Sequence, residues 1–443
     1  ALYDEKAGEI NENNNQTLNF NPYLQIDLGK GIYAKTTLGV NIADLRQYQY
    51  WSALYNPQAV DYNGLGQQYN SRYTTITWNN VLGWNYTFDK HNINLLLGQE
   101  MQRKNYFYEY YSGSDFPFAA DGKTDLSTAG TPQGSEYYKK EARLASYFMD
   151  AHYSYEDKYY VSGSFRRDGS SVFGSNHRWG NFWSVGAGWL LNKEAFLENQ
   201  SWINMLKFKI SYGLQGNDNL MYQGGLYRNY YPYQDQFTLA NSNGDFSTSL
   251  YYKGNKDITW ETSHSFNTGF DFTFWGGKLS GSAEYFSRKT TDMLYFKPVA
   301  ASMGYSRFPE NVGSMVNRGV EIDLNSNIIE TKDFSWSVNL NLTHFKNKVL
   351  ELAPELNGQM IDAGRIYRED ESMFQLYLPK YAGVNPETGE SQWALLKPDA
   401  EGNTVTTSYS TATENRFATG DILPKVYGGF GTSFTAYGFD LSL

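Results

Sequence analysis

The fold class predicted by this sequence is all-β, a transmembrane antiparallel barrel, and three observations predict it. Apolar and polar side chains alternate with period two through long stretches, as in a sheet with one dry and one wet face. Tight turns alternate with loops of roughly a dozen to several dozen residues, the asymmetry of outer-membrane barrels. No apolar run approaches the ~18 residues of a membrane-crossing helix, and the mean hydropathy is −0.59. That low value suits a barrel, whose lipid-facing residues alternate with wet ones. The 443 residues include 38 Tyr, 27 Phe and 11 Trp, enough for aromatic girdles at both membrane interfaces.

The first strand places Leu18, Phe20, Pro22, Leu24, Ile26 and Leu28 on one face and Asn19, Asn21, Tyr23, Gln25 and Asp27 on the other. Gly29-Lys30-Gly31 turns the chain, and Ile32, Ala34, Thr36, Leu38, Val40 and Ile42 resume the pattern. A polar and aromatic loop follows, Ser52–Asn70. Strand Arg72–Phe88 meets Asn92–Tyr110 through the turn Asp89–His91, and Gly113–Glu136 reads as a second long loop. Tyr138–Tyr155 then meets Tyr159–Arg167 through Glu156-Asp157-Lys158.

The loop Asp168–Gly180 leads to strand Asn181–Leu191, where Phe182, Ser184, Gly186 and Gly188 oppose Trp183, Val185, Ala187 and Trp189. Asn192–Asn204 is the one longer connection on the short-turn side, with a helical turn expected through Glu194–Leu197. Met205–Gly213 enters the longest loop, Leu214–Trp260, which shows no evident secondary structure. Phe266, Phe270, Phe272 and Phe274 oppose Asn267, Gly269, Asp271 and Thr273, and Trp275-Gly276-Gly277 turns into Lys278–Tyr295. Val320, Ile322 and Leu324 oppose Glu321, Asp323 and Asn325, with a turn at Glu330–Lys332 before Trp336, Val338 and Leu340. Phe374–Val384, Ser391–Leu396, Lys425–Ala436 and Phe439–Leu443 complete about sixteen strand segments of the ~22 expected for a plugged barrel.

The alternation also decides which face is wet. Asp271, Glu284, Glu321 and Asp323 belong in a water-filled lumen, since charge on the lipid face costs about 2–4 kcal/mol near the midplane. Trp84, Trp189, Trp275 and Trp336 read as interfacial girdle. A net charge of −10 speaks against a nucleic-acid partner. With no Cys, thiol chemistry and disulfides are excluded. The five histidines, His91, His152, His177, His264 and His344, lack metal-ligand spacing, so neither metal nor cofactor is expected. Asp168, Ser170, Ser171 and His177 include the residue types of a nucleophile and base. A Gly/Ser-rich loop supplies those types by chance, and the turn reading is preferred.

The residues further resemble one family. FRRDGSSVFGSNHRWGNFWSVGAGW (Phe165–Trp189), followed by Asn192-Lys193-Glu194-Ala195-Phe196, resembles the hallmark segment of SusC/RagA-type TonB-dependent outer-membrane transporters. LKFKISYGLQGNDNL, ITWETSHSFNTGFDF, RKTTDML, PENVGSMVNRGVEIDL, YAGVNPETGE and GDILPKVYGGFGTSFTAYGFDLSL continue it in order from Leu206 to Leu443. The resemblance implies a 22-stranded barrel with an N-terminal plug and TonB box. It implies a SusD-like lipoprotein lid, a TonB complex, a glycan or peptide cargo, a dimer of transporter–lipoprotein pairs, and the outer membrane of a Bacteroides-type bacterium. Its mechanism is active nutrient import without covalent chemistry.

Residues 1–443 then read as one partial barrel domain, with plug, first strands and last strands lying elsewhere. The start, ALYDEKAGEINENNNQ, has the character of mid-loop, and Phe439–Leu443 of a strand's beginning. Tyr227, Tyr230, Tyr231 and Tyr233 form an aromatic cluster in the longest loop, fit to bind the lid or the cargo, or to pack loop on loop. Rival readings are a passive porin, an outer-membrane hydrolase with a loop-borne site, and a secreted glycan-binding sandwich.

The topology has a direct test in this Cys-free chain. Single cysteines in the turns Gly29–Gly31, Asp89–His91, Trp275–Gly277 and Glu330–Lys332 should resist an impermeant thiol reagent on intact cells. Cysteines in Ser52–Asn70, Gly113–Glu136 and Leu214–Trp260 should react; the reverse pattern would refute the topology.

Overall fold

The computed structural model describes residues 9–54, 56–221, 228–242, 244–305, 307–362 and 364–443. Its strands are β1 (Ile10–Phe20), β2 (Tyr23–Gly29), β3 (Ile32–Trp51), β4 (Leu65–Phe88), β5 (His91–Ser114), β6 (Thr131–Tyr155), β7 (Tyr159–Ser170), β8 (Trp179–Leu190) and β9 (Ile203–Asn217). The longest loop carries β10 (Gln236–Ser242) and β11 (Asp245–Tyr252), followed by β12 (Glu261–Phe274) and β13 (Leu279–Thr291). Next come β14 (Leu294–Pro298), β15 (Arg307–Asn311), β16 (Ser314–Glu330) and β17 (Phe334–Glu351). Between β17 and the last hairpin lie β18 (Gln359–Asp362), β19 (Arg365–Arg368), β20 (Gln375–Pro379), β21 (Tyr381–Val384), β22 (Ser391–Ala394), β23 (Val405–Thr406) and β24 (Arg416–Asp421). That hairpin is β25 (Tyr427–Ala436) with β26 (Phe439–Ser442).

One 15-stranded sheet forms the wall, in the order β1-β3-β4-β5-β6-β7-β8-β9-β12-β13-β16-β17-β25-β26, with β2 also on β3. Each strand is antiparallel to the strand before it in that order, so the turns fall alternately at two ends. β1 and β2 lie end to end along β3, broken at Pro22, which has no N–H to donate. They therefore make one line across the wall. Phe374–Val384 and Ser391–Leu396, expected as wall strands, lie outside it in two small sheets, β18-β19-β20-β24 and β21-β22-β23. Their runs are too short to span, so they pair locally within the β17–β25 connection.

Several long loops are shorter than expected, because β3 to β6 continue past the apolar belt. β4 and β5 have 24 residues each and β6 has 25, against the ~10 a tilted strand needs to cross. Beyond the membrane a strand needs no apolar face, so Gln67, Gln68 and Tyr69 pair with Ser112, Tyr111 and Tyr110 without alternation to announce them. Ser52–Asn70 is thus loop only to Gly64, and Gly113–Glu136 only from Asp115 to Gly130. Likewise β7 runs on to Ser170 and β8 starts at Trp179, shortening the expected loop Asp168–Gly180. Asp168-Gly169-Ser170 is therefore strand, not turn. Leu214–Trp260 is not structureless, since β10 and β11 form a hairpin within it.

The register fixes the two faces. Asp271 pairs with Ser282, Glu284 with Glu321, and Asp323 with Asn341, all on the concave side. Leu24, Ile26, Leu28, Leu38, Leu82, Leu97 and Phe270 are exposed on the convex side. Asn80 and Gln99, polar residues among them, bond each other at 3.1 Å. Two lumen glycines admit bulky neighbours from the adjacent strand. A Cβ on Gly83 would lie 2.2 Å from the ring of its partner Tyr33, and one on Gly98 2.2 Å from that of Phe148. Each aromatic covers the gap its glycine leaves, pinning the register.

The short-turn end is closed by aromatics and a charge clamp. Trp84, Trp189 and Trp336 lie on the convex side near that end, and Trp275 sits in a turn there, stacked on Trp202 at 5.7 Å. Glu194 accepts from Lys158 at 2.8 Å, from the Tyr159 hydroxyl at 2.6 Å and from Trp189 Nε1 at 2.9 Å. Asn192 spans the same connection, its Oδ1 taking the Leu206 N–H and its Nδ2 reaching the Asn204 carbonyl. The Asn-Lys-Glu run after β8 is thus a staple joining β7, β8 and β9. The region of the expected helical turn is a 3₁₀ turn at Leu191–Lys193, continued by bonds from Leu197 and Glu198 to the Glu194 carbonyl.

The Lys158 ammonium, then the Tyr159 hydroxyl, hold the Glu194 carboxyl down to about 2. A lowered folded-state pKa gives stability that is complete above the ordinary carboxylate value and lost as pH falls through the folded one. The Tm of the assembled barrel should therefore fall between about pH 4.5 and pH 2. Glu194→Gln should lower the Tm at pH 7 and flatten that dependence, measured by heat-modifiable migration; an unchanged slope would rule out the clamp.

Candidate substrate path and mouth

The lumen wall is polar by register and partly neutralised by pairing. By register Asp271, Glu284, Glu321 and Asp323 share one face, and Lys209 of β9 joins them, 2.7 Å from Asp271 and also bonded to Glu284. Glu284 stands directly opposite Glu321, a like-charge pairing that is unfavourable alone. Lys209 offsets it, and the signal was legible in Lys207-Phe208-Lys209, whose lysines fall on the wet face of β9. Asp323 accepts from Asn325 at 2.8 Å. Upstream, Arg166 binds Glu100 at 2.9 Å, Asp168 at 2.7 Å and the Ser146 hydroxyl at 2.8 Å, linking β5, β6 and β7.

The hallmark segment carries structure into the mouth. Ser170 is buried and donates to Asp218 at 2.7 Å, and Asp218 pairs with Arg228 at 2.9 Å. The hydroxyl thus anchors the longest loop to the end of β7. Ser171 accepts from the Arg143 N–H at 2.8 Å, while His177 Nε2 lies 3.6 Å from Asp257. The structure does not bring Ser170 and His177 together as nucleophile and base. Gly169 needs space rather than an unusual backbone: a Cβ there would meet the Trp179 ring at 2.9 Å.

Over this frame the loops build a core of their own. Val172, Phe173, Leu220, Ile258 and Trp260 are buried beside Phe182. Trp260 packs 5.3 Å from both Phe173 and Phe182 and donates to the Arg178 carbonyl at 2.9 Å. Its neighbour Glu261 accepts from Asn217 and from the Leu294 N–H, both at 3.0 Å. Asn311 clasps Thr259 through both amide atoms at 2.8 Å.

The tyrosine cluster packs among the loops rather than forming an open surface. Tyr227 lies outside the described residues. Tyr230 is only 8% exposed and belongs to the loop core. Tyr231 and Tyr233 are half-buried against it, the Tyr231 hydroxyl accepting from the Glu141 N–H at 3.2 Å. The open aromatic surface lies further along, on the β10–β11 hairpin. Phe237, Leu239, Phe246 and Tyr251 are each more than 60% exposed there. Alternation within Gln236–Tyr252 carried that signal, hidden by reading the stretch as loop.

Below the mouth the wall bounds an open pocket of about 600 Å³, whose lining includes Ser162, Ser164, Arg166, Ser184, Ser211 and Asn267 beside Phe182 and Leu214. Hydroxyls and amides that exchange hydrogen bonds with water can receive and release a polar solute without deep desolvation. Among the described residues no group of three His, Asp or Glu is placed to hold a metal ion.

Ser170→Ala should cost about 1 kcal/mol and Asp218→Ala about 2 kcal/mol of local loop stability, since the second strands Arg228. Both variants should assemble at normal abundance with faster proteolysis between residues 218 and 260. Wild-type protease resistance in Asp218→Ala would show that the anchor is not what holds the loop.

Comparison with known proteins agrees with this architecture. Residues 3–442 match the family described as TonB dependent receptor-like, beta-barrel. TonB-dependent receptor P39 of Formosa agariphila is 30% identical over 389 residues, 85% of this chain and 35% of that protein. TonB-dependent receptor SusC of Bacteroides thetaiotaomicron is 27% identical, over 69% of this chain and 32% of its own length. A solved RagAB peptide transporter superposes with a TM-score of 0.81 at 27% identity, over 98% of this chain and 48% of that one. The chain thus spans about a third to a half of the relatives it matches. With fold, wet lumen and this match in agreement, the chain belongs to the TonB-dependent receptor β-barrel family, similar to SusC and RagAB.

Proposed function

We propose that this chain is the greater part of the barrel of a transporter that imports a nutrient, glycan or peptide, across the outer membrane of a Bacteroides-type bacterium. The observation that carries the reading is one wall with an apolar convex face and a hydroxyl- and amide-lined concave face, in a TonB-dependent receptor family. Cargo enters at the looped end and passes Asp271, Glu284, Glu321 and Asp323. A plug driven by the TonB complex gates its release. The chain does no covalent chemistry.

A SusD-like lipoprotein covers the mouth as a lid, in a pair that dimerises with a second pair. Its dock is the β10–β11 hairpin, set on the base of Tyr230, Tyr231 and Tyr233. Support comes from the exposed Phe237, Leu239 and Phe246, each worth about 1.5–3 kcal/mol if buried on docking. A lid that opens without leaving needs such an anchor away from the cargo path.

Uptake of labelled oligosaccharides and peptides by cells carrying the full-length gene should vanish on deletion of tonB. Uptake that persists would favour a passive porin. The triple variant Phe237→Ser, Leu239→Ser, Phe246→Ser should reduce co-purification of the lipoprotein at least about tenfold. Undiminished co-purification with weakened cargo binding would make the hairpin a cargo platform instead.

A further inference from the structure

Where the mouth ends of β16 and β17 meet two connections, the lumen wall holds an apolar cavity of about 170 Å³. The β13–β16 connection contributes Met293, Tyr295 and Val312, and the β17–β25 connection contributes Leu356, Met360 and Met373. Met315 and Val349 form its floor. Four of the chain's nine methionines therefore line one small space. Methionine is the side chain that moulds itself around ligands of varied shape.

We infer that this cavity seats one aliphatic or aromatic side chain of a peptide cargo. The inference rests on the import reading and decides between its two cargo classes. Volume is the first argument: a dry apolar cavity of about 150 Å³ can take up benzene, so an isobutyl or phenyl group fits here. Chemistry is the second. The Tyr295 hydroxyl already donates to Met360 Sδ, and although Ser314, Glu351, Asp362 and Tyr367 also border the cavity, most of its lining surface is apolar. A sugar ring would bury hydroxyls here with few partners, at about 1–3 kcal/mol each.

Continuity is the third argument. Met315 and Met373 also line a lumen pocket of mixed character, about 430 Å³, where Asn267, Asn317, Arg288 and Glu321 stand beside Phe286 and Phe345. The apolar cavity is thus a side chamber of the lumen, reached past two flexible thioethers. Amides suit a peptide backbone, and Arg288 and Glu321 offer one charge of each sign for its termini. Neither is in an ion pair among the described residues. Asn347 holds the shared wall in place, donating to Asn317 and accepting from the Met373 N–H, both at 2.8 Å.

The test uses the full-length protein in nanodiscs, labelled with ¹³C at its methionine methyls, each signal assigned by a Met→Leu substitution. N-acetyl-leucinamide is the probe, with N-acetyl-alaninamide and glucose as controls. Saturable shifts should appear at Met293, Met315, Met360 and Met373 and be absent at Met101 and Met149, which are exposed on the convex face. The alanine analogue should bind about tenfold more weakly or worse, and glucose should not compete. Leu356→Trp, which fills the cavity, should abolish the shifts while Met101 and Met149 keep their native positions. Absent shifts at the four methionines, equal shifts with the alanine analogue, or competition by glucose would each overturn the inference. Should Leu356→Trp fail to assemble, the wild-type titration alone still decides. TonB-dependent uptake with no leucinamide response would leave the import reading standing and remove only this site. TonB-independent uptake would remove the import reading, and the methyl signals would still report on the cavity.

Discussion

The structure depends first on backbone hydrogen bonding where no water can help. In hydrocarbon each unpaired N–H or C=O costs several kcal/mol, so a strand is tolerable there only between neighbours. The long sequence of antiparallel pairs satisfies that demand one strand at a time. Side-chain chemistry then follows from the period of two. With pairing fixed, every second residue faces lipid and every other faces water, and a slip of one residue would exchange them. The glycines under Tyr33 and Phe148 guard against such a slip, since the rings fit only where a Cβ is missing.

A wall built this way sets the chemistry of the lumen by inheritance. Lys209, Asp271 and Glu284 meet because strands β9, β12 and β13 are neighbours in a fixed register. Arg166 meets Glu100 across two strands for the same reason. The lumen therefore carries charges of both signs, some of them paired, over a background of serine and asparagine. Its character is wet and of mixed charge.

The mouth obeys a different rule. Loops outside the membrane can be solvated, yet here they are tied down from the wall: Ser170 to Asp218, Trp260 to the Arg178 carbonyl, Asn311 to Thr259. Most of these anchors lie in the segments by which the chain resembles its family. Those segments are the joints between a regular wall and irregular loops, which explains why they combine glycine, hydroxyl and aromatic residues. The same joints leave the β10–β11 hairpin standing clear and enclose the methionine-lined chamber.

By itself the sequence determined the fold class, the two faces of the wall and the side of the short turns, because strand period and turn length are local properties. Phe266 to Phe274 and Val320 to Leu324 could be assigned to lipid or lumen without any structure. It did not determine where β4, β5 and β6 stop, since strands beyond the membrane keep pairing without alternation. Nor did it show that Phe374–Val384 and Ser391–Leu396 leave the wall, because a short alternating run looks the same in either place. Tyr230 and Phe237 make the contrast sharpest. Both are aromatic residues of one loop, and only tertiary packing buries the first under Trp260's cluster and leaves the second in the open. Burial in a loop is a sum over contacts distant in sequence, such as Val172, Leu220 and Phe296, and no local pattern records it.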